Sequence, residues 1–181
     1  MARSESIEEL LLTEMSRRNT TMVADIVIQK PELFDELVRI YLRNEEPVSR
    51  YAAWVADTVS EQRPEFLSGY TGEIITMLPQ FMHDGLKRHS LRMLVRSSLP
   101  SDQLGPLMNL CFDWLLSANE AVAAKVYCMD ILYRISEIEP AMKKELADSI
   151  EWRINEEKPG FKSHGKKILD KLYKEIESTS V

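Results

Sequence analysis

From Ser6 onward, apolar and polar positions follow the period of a helix. Ile7, Leu10, Leu11 and Met15 share one face, and Glu8, Glu9 and Glu14 lie opposite. Ser6 stands where a capping side chain is wanted, and Arg17 and Arg18 follow where a helix end favours cations. This predicts an N-terminal helix over about 6–18. The same period returns along the whole chain, with Leu37, Val38, Tyr41 and Leu42, then Ile74, Ile75 and Leu78. Further on come Leu107, Leu110, Cys111, Trp114 and Leu115, then Leu146, Ile150 and Ile154.

Each of these stretches follows a similar short phrase: Lys30-Pro31-Glu32-Leu33-Phe34, Arg63-Pro64-Glu65-Phe66-Leu67, Pro100-Ser101-Asp102-Gln103-Leu104 and Glu139-Pro140-Ala141-Met142-Lys143. Proline in a first turn loses no hydrogen bond, and an acid after it meets the positive helix end. The phrases therefore read as starts of second helices, spaced 33, about 37 and about 38 residues apart. A first helix precedes each: a short one over 21–29, then 48–60, about 84–98 and 121–137. The predicted units are repeats over about 20–44, 47–82, 84–117 and 120–157. Pro159-Gly160 then breaks the chain, and a lone helix over about 161–176 closes it. In the second repeat, Gly69 and Gly72 predict a late start near Thr71, and Pro79 predicts a cut or kink at the end.

The composition agrees with an all-α class. Glycine is scarce, with six residues among 181, and no Asn-Gly or Asp-Gly sits between alternating strand patterns. The length suits one domain, expected over 1–181. Cys111 and Cys128 lie in apolar stretches and read as core residues, not as a disulfide framework. No apolar segment follows the N-terminus and none approaches the roughly 18 residues a membrane span needs, so a cytoplasmic location is expected.

The proline phrases, with the block running from Ala121 through Lys125-Val126-Tyr127 to Ile135, resemble the armadillo/HEAT-like superfamily over about residues 20–176. The chain is especially similar to short bacterial HEAT-like proteins that carry such a block and a later Pro-Gly-Phe-Lys turn. Tetratricopeptide repeats fit less well, because their Trp-x-x-Leu-Gly-x-x-Tyr stretch is missing. The resemblance implies a right-handed α-α superhelix of stacked two-helix repeats. It also implies a curved surface, with second helices on the concave side, that holds a protein or a nucleic acid. Similar chains have carried the label adenylosuccinate lyase. That activity does not transfer, since the lyase's mobile catalytic loop has no counterpart here.

Little in the residues asks for catalysis. His83, His89 and His164 lack zinc-ligand spacing and read as surface or helix-end residues. No phosphate-cradling glycine loop or nucleophile elbow occurs. Glu45-Glu46 and Glu156-Glu157 fall at expected turns, where solvation explains them. Trp54, Trp114 and Trp152 fall at positions that suit core anchors. The expectation is a non-catalytic protein–protein scaffold that needs no cofactor or metal, as a monomer or weak dimer.

One charge pattern stands out. Arg88, Arg92 and Arg96 recur at i, i+4 and i+8, beside Lys87 and His89, and like charges at that spacing repel. Either acids on neighbouring helices pair with them (Asp57 and Glu61 on the preceding first helix, Asp130 and Glu137 on the following one), or the stripe meets an acidic partner or phosphates. Arg50, Arg88, Lys125 and Lys162 also recur near the starts of first helices, and stacking would align them along one edge. By resemblance, some HEAT-like DNA glycosylases grip a duplex with such a row, which makes a DNA-repair role the alternative. The formal net charge of −6 weighs against it. The candidate partner-binding residues are thus Lys87, Arg88, Arg92, Arg96, Arg50, Lys125 and Lys162.

Overall fold

The computed structural model describes residues 6–179. They form ten α-helices and three 3-10 turns, with no strand among the described residues. Within what the sequence reads as one repeat domain, the helices gather into two compact units divided between Pro100 and Ser101.

The first unit holds α1 (Ile7–Thr13), α2 (Arg17–Gln29), α3 (Leu33–Leu42), α4 (Val48–Gln62), α5 (Thr71–Met77) and α6 (Asp84–Arg96). Ser6 caps α1 in a reciprocal box with Glu9, the backbone N–H of Ser6 donating to Glu9 Oε2 at 2.9 Å and that of Glu9 to Ser6 Oγ at 3.2 Å. Arg17 and Arg18 do not end this helix; they open α2. Ser16 accepts from the Asn19 backbone N–H at 3.1 Å and starts the new helix there. Asn19 Nδ2 then donates to the Leu10 and Glu14 carbonyls, each at 3.0 Å, and satisfies acceptors that the end of α1 leaves without a partner.

Helix α4 is the centre of this unit and packs against α1, α2, α3 and α6. Its small residues Ala52, Ala53 and Ala56, all fully buried, let neighbouring helices approach. Burying the larger side chains beside them, such as Leu37, Val59, Leu91 and Leu94, favours folding by about 1.5–3 kcal/mol each before chain entropy is counted. Helix α5 begins at Thr71, after Gly69 at φ 92°, and a 3-10 turn over Leu78–Gln80 containing Pro79 follows it. Both features sit where the glycines and proline predict them.

The second unit holds α7 (Leu104–Leu116), α8 (Val122–Ile138), α9 (Met142–Ile154) and α10 (Pro159–Thr179). Helix α8 packs on α7, α9 and α10, and α10 also packs on α9. Pro159-Gly160 does not stand outside the closing helix. Pro159 is its first residue, where the ring costs no hydrogen bond. Cys111 and Cys128 are free and buried. None of the described helices is long and apolar enough to cross a membrane.

Candidate functional site

The arginine stripe lies on α6, which packs against α4. Asp57 of α4 is 1% exposed, and the stripe closes over it. Asp57 Oδ2 accepts from His89 Nδ1 at 2.8 Å and from Arg92 Nη1 at 3.1 Å. Its Oδ1 accepts from Arg96 Nη2 at 2.5 Å, and the same nitrogen reaches the Asp57 carbonyl at 3.0 Å and Ser60 Oγ at 2.9 Å. Arg92 uses its other terminal nitrogen on Glu61 at 3.1 Å. Burial alone would push the Asp57 carboxyl up, but the hydrogen bonds from His89 and Arg96 and the Arg96 charge hold it below the usual aspartate range. A carboxylate with this many donors is an anchor, not a general base.

His89 is buried, not at the surface as its spacing suggested, and its ring stacks on Trp54 at 6.0 Å. Arg88 Nη2 lies 3.2 Å from His89 Nε2. A guanidinium only donates, so Nε2 is the acceptor and the Nδ1 proton points to Asp57. Next to this centre, Tyr41 and Ser90 share a buried hydrogen bond, and burial pushes the Tyr41 hydroxyl pKa up.

The seven candidate residues thus fall into different settings. Arg92 and Arg96 are held by Asp57, while Arg88 is exposed. Lys87 is half-buried on the same helix. Arg50 Nε pairs with Glu46 at 3.0 Å, and its Nη1 lies 2.9 Å from Met15 Sδ. In the second unit, Lys162 Nζ donates to the Asn155 carbonyl at 3.0 Å.

Lys125 does not stand on an edge. It is 2% exposed and bonds Glu157 Oε1 at 2.5 Å, an oxygen that also accepts from Arg153 Nη2 at 2.6 Å and Nε at 3.2 Å. The Glu157 side chain is consequently only 6% exposed, and it is not solvated at a turn. Desolvation pushes its carboxyl up, while the hydrogen bonds and charges of Lys125 and Arg153 more than offset this and lower it. His164 takes Asp130 at 2.7 Å, and His83 caps α6 by accepting from the Gly85 backbone N–H at 2.9 Å. No group of His, Cys, Asp and Glu that could hold a metal occurs among the described residues.

The second unit carries a feature that the sequence reading misplaced. Trp152 is 67% exposed and does not anchor a core. The inward face of α9 is Leu146, Ala147, Ile150 and Arg153; Trp152, two residues past Ile150, points elsewhere. It borders an open groove lined by Leu116 of α7, Ala141, and Lys144, Glu145, Asp148 and Ser149 of α9. The Arg153 guanidinium lies 5.6 Å from the indole centroid and steadies the ring.

A family model described as a HEAT repeat domain matches residues 7–172. No curated protein and no solved structure matches the chain. With the match spanning nearly the whole sequence and paired helices throughout, the chain belongs to the HEAT repeat domain family.

Proposed function

We propose that this protein is a non-catalytic scaffold that holds a segment of a partner protein against the α7–α9 face around Trp152. The observation that carries the reading is Trp152 itself, a large aromatic residue left 67% exposed at the edge of a groove. Tryptophan is enriched among the residues that dominate protein–protein affinity, and it covers much apolar area at low entropic cost. HEAT repeat domains are typically protein-binding scaffolds, which supports the same reading.

The nucleic-acid alternative draws less support. A phosphate-binding row needs cations free to face solvent. Arg92 and Arg96 are committed to Asp57, Arg50 to Glu46, and Lys125 to Glu157. Arg88 is the exposed member of the stripe and the better candidate for an acidic group on a partner.

The test is capture from native lysate, with and without nuclease, using the wild type, Trp152→Ala and Arg88→Glu. A nuclease-resistant protein that the wild type retains and Trp152→Ala loses is the expected result. Recovery of nuclease-sensitive material alone, abolished by Arg88→Glu, would replace the scaffold with a nucleic-acid-binding role.

A further inference from the structure

We infer that the segment received by this face is basic, with a lysine or arginine side chain laid on the indole of Trp152 and an apolar side chain entering between Leu116 and Ala141. The inference rests on the protein-binding reading above and names the chemistry of the partner. Two independent features select the same charge. The first is the ring, whose negative π-face attracts cations. Arg153 lies over the indole, but its guanidinium is committed to Glu156 and Glu157, so it steadies the ring while most of the indole remains open.

The second feature is the rim. Glu145, Asp148 and Glu151 of α9 and Glu156 just past its end are all exposed, and two of them lie seven and four residues before Trp152, on its side of the helix. Glu151 accepts the Tyr173 hydroxyl at 2.5 Å and, with burial, pushes that hydroxyl to about 12. Lys144 pairs with Asp148 at 2.6 Å and Arg153 with Glu156 at 3.2 Å, and Lys143 is committed to Glu175 at 2.8 Å. This leaves Glu145 and Glu151 as the rim carboxylates with no ion pair among the described residues. A basic segment gains from this field and an acidic one is repelled. Leu116 and Ala141 supply the apolar floor that fixes its register.

Selection from a phage-displayed library of random dodecapeptides tests this without knowledge of the partner. The full-length chain is the bait, with counter-selection on Trp152→Ala, whose fold is checked by its thermal midpoint. The expected pool is rich in Lys or Arg next to apolar residues, and its members bind the wild type about tenfold or more tighter than Trp152→Ala. Trp152→Phe keeps most of the affinity, Trp152→Leu loses it, and Glu145→Lys with Asp148→Lys weakens it. A Trp152-dependent pool with no excess of basic residues would overturn the assigned charge and leave the scaffold reading standing. No Trp152-dependent peptide of any kind would overturn both. Trp152-dependent self-association in sedimentation would place a second copy on the face and overturn the basic partner.

Discussion

His89 donates its Nδ1 proton to Asp57 across 2.8 Å, and both side chains are buried at the contact of α4 with α6. Around this pair a run of three arginines divides into two structural residues and one surface residue. Arg92 and Arg96 complete the Asp57 anchor, while Arg88 touches it only through His89.

That division predicts unequal variants. Asp57→Ala removes the carboxylate that His89, Arg92 and Arg96 share, leaving Arg92 only Glu61 and Arg96 only the backbone carbonyl and Ser60. Removing one member of a buried charge set costs about 3–5 kcal/mol. The partial exposure of Arg92 and Arg96 puts the expected loss at the lower end of that range. Arg96→Ala destabilises clearly, whereas Arg88→Ala removes only the single donor to His89 Nε2 and costs about 1 kcal/mol or less. Urea unfolding of the three variants checks the order; equal effects of Arg88→Ala and Arg96→Ala would contradict it.

Helix α8 supplies a second asymmetry. Glu157→Ala strands Lys125, which is 2% exposed, and leaves Arg153 with Glu156 alone, so a loss of about 3 kcal/mol is expected. Lys125→Met leaves Glu157 still paired with Arg153 and puts an apolar chain of similar length in the same space, so it costs less than about 1.5 kcal/mol. Thermal unfolding of the two variants under one condition reads the difference directly.

Acid acts on the same anchors. Asp57 and Glu157 have carboxyls held below their ordinary values in the folded chain. A depressed folded value adds stability above the unfolded value, and that stability is lost as pH falls through the folded one. Stability is therefore level near neutrality and falls once pH drops below about 4, the ordinary carboxylate range. Asp57→Asn and Glu157→Gln each start lower and decline less steeply over that window. Urea midpoints measured between neutral pH and pH 3 test the sign.

Gly69 gives a backbone test. Its φ of 92° lies where L-residues are strained, yet a Cβ there would meet nothing within 4 Å. Gly69→Ala is thus expected to cost about 1 kcal/mol from the backbone alone. Gly69→Asn costs less, because asparagine tolerates positive φ, as Asn44 does here at φ 57°. Equal stability of the wild type and the alanine variant would contradict the turn.

The helices were legible because their signals are local. Pro31, Pro64, Pro100 and Pro140 punctuate the chain at near-even spacing, and Gly69 and Pro79 mark both ends of α5. Each of these residues acts through its own backbone. The break between α1 and α2 was hidden because Met15 continues the apolar period while Ser16 and Asn19 act through hydrogen bonds.

The site depends on pairings 32 to 39 residues apart, such as Asp57 with His89 and Arg96, which no local period reveals. A signal for His89 existed, since Leu86, Ser90 and Met93 place it on the buried face of α6. Lys125 likewise sits on one face with Cys128, Met129 and Leu132, but its partner Glu157 comes from beyond α9. Trp152 was read by residue type and not by angle, and its offset from Ile150 carried the answer.

The central claim is that the face around Trp152 holds a partner protein. The most direct measurement is in-cell photocrosslinking from a benzophenone residue at Ser149, inside the groove, with the same group at Thr21 on the exposed side of α2 as the control. The account predicts a discrete protein adduct from position 149 that disappears when Trp152→Ala is added, and none of the same mass from position 21. An identical adduct from both positions, or one from position 149 that survives Trp152→Ala, would contradict it.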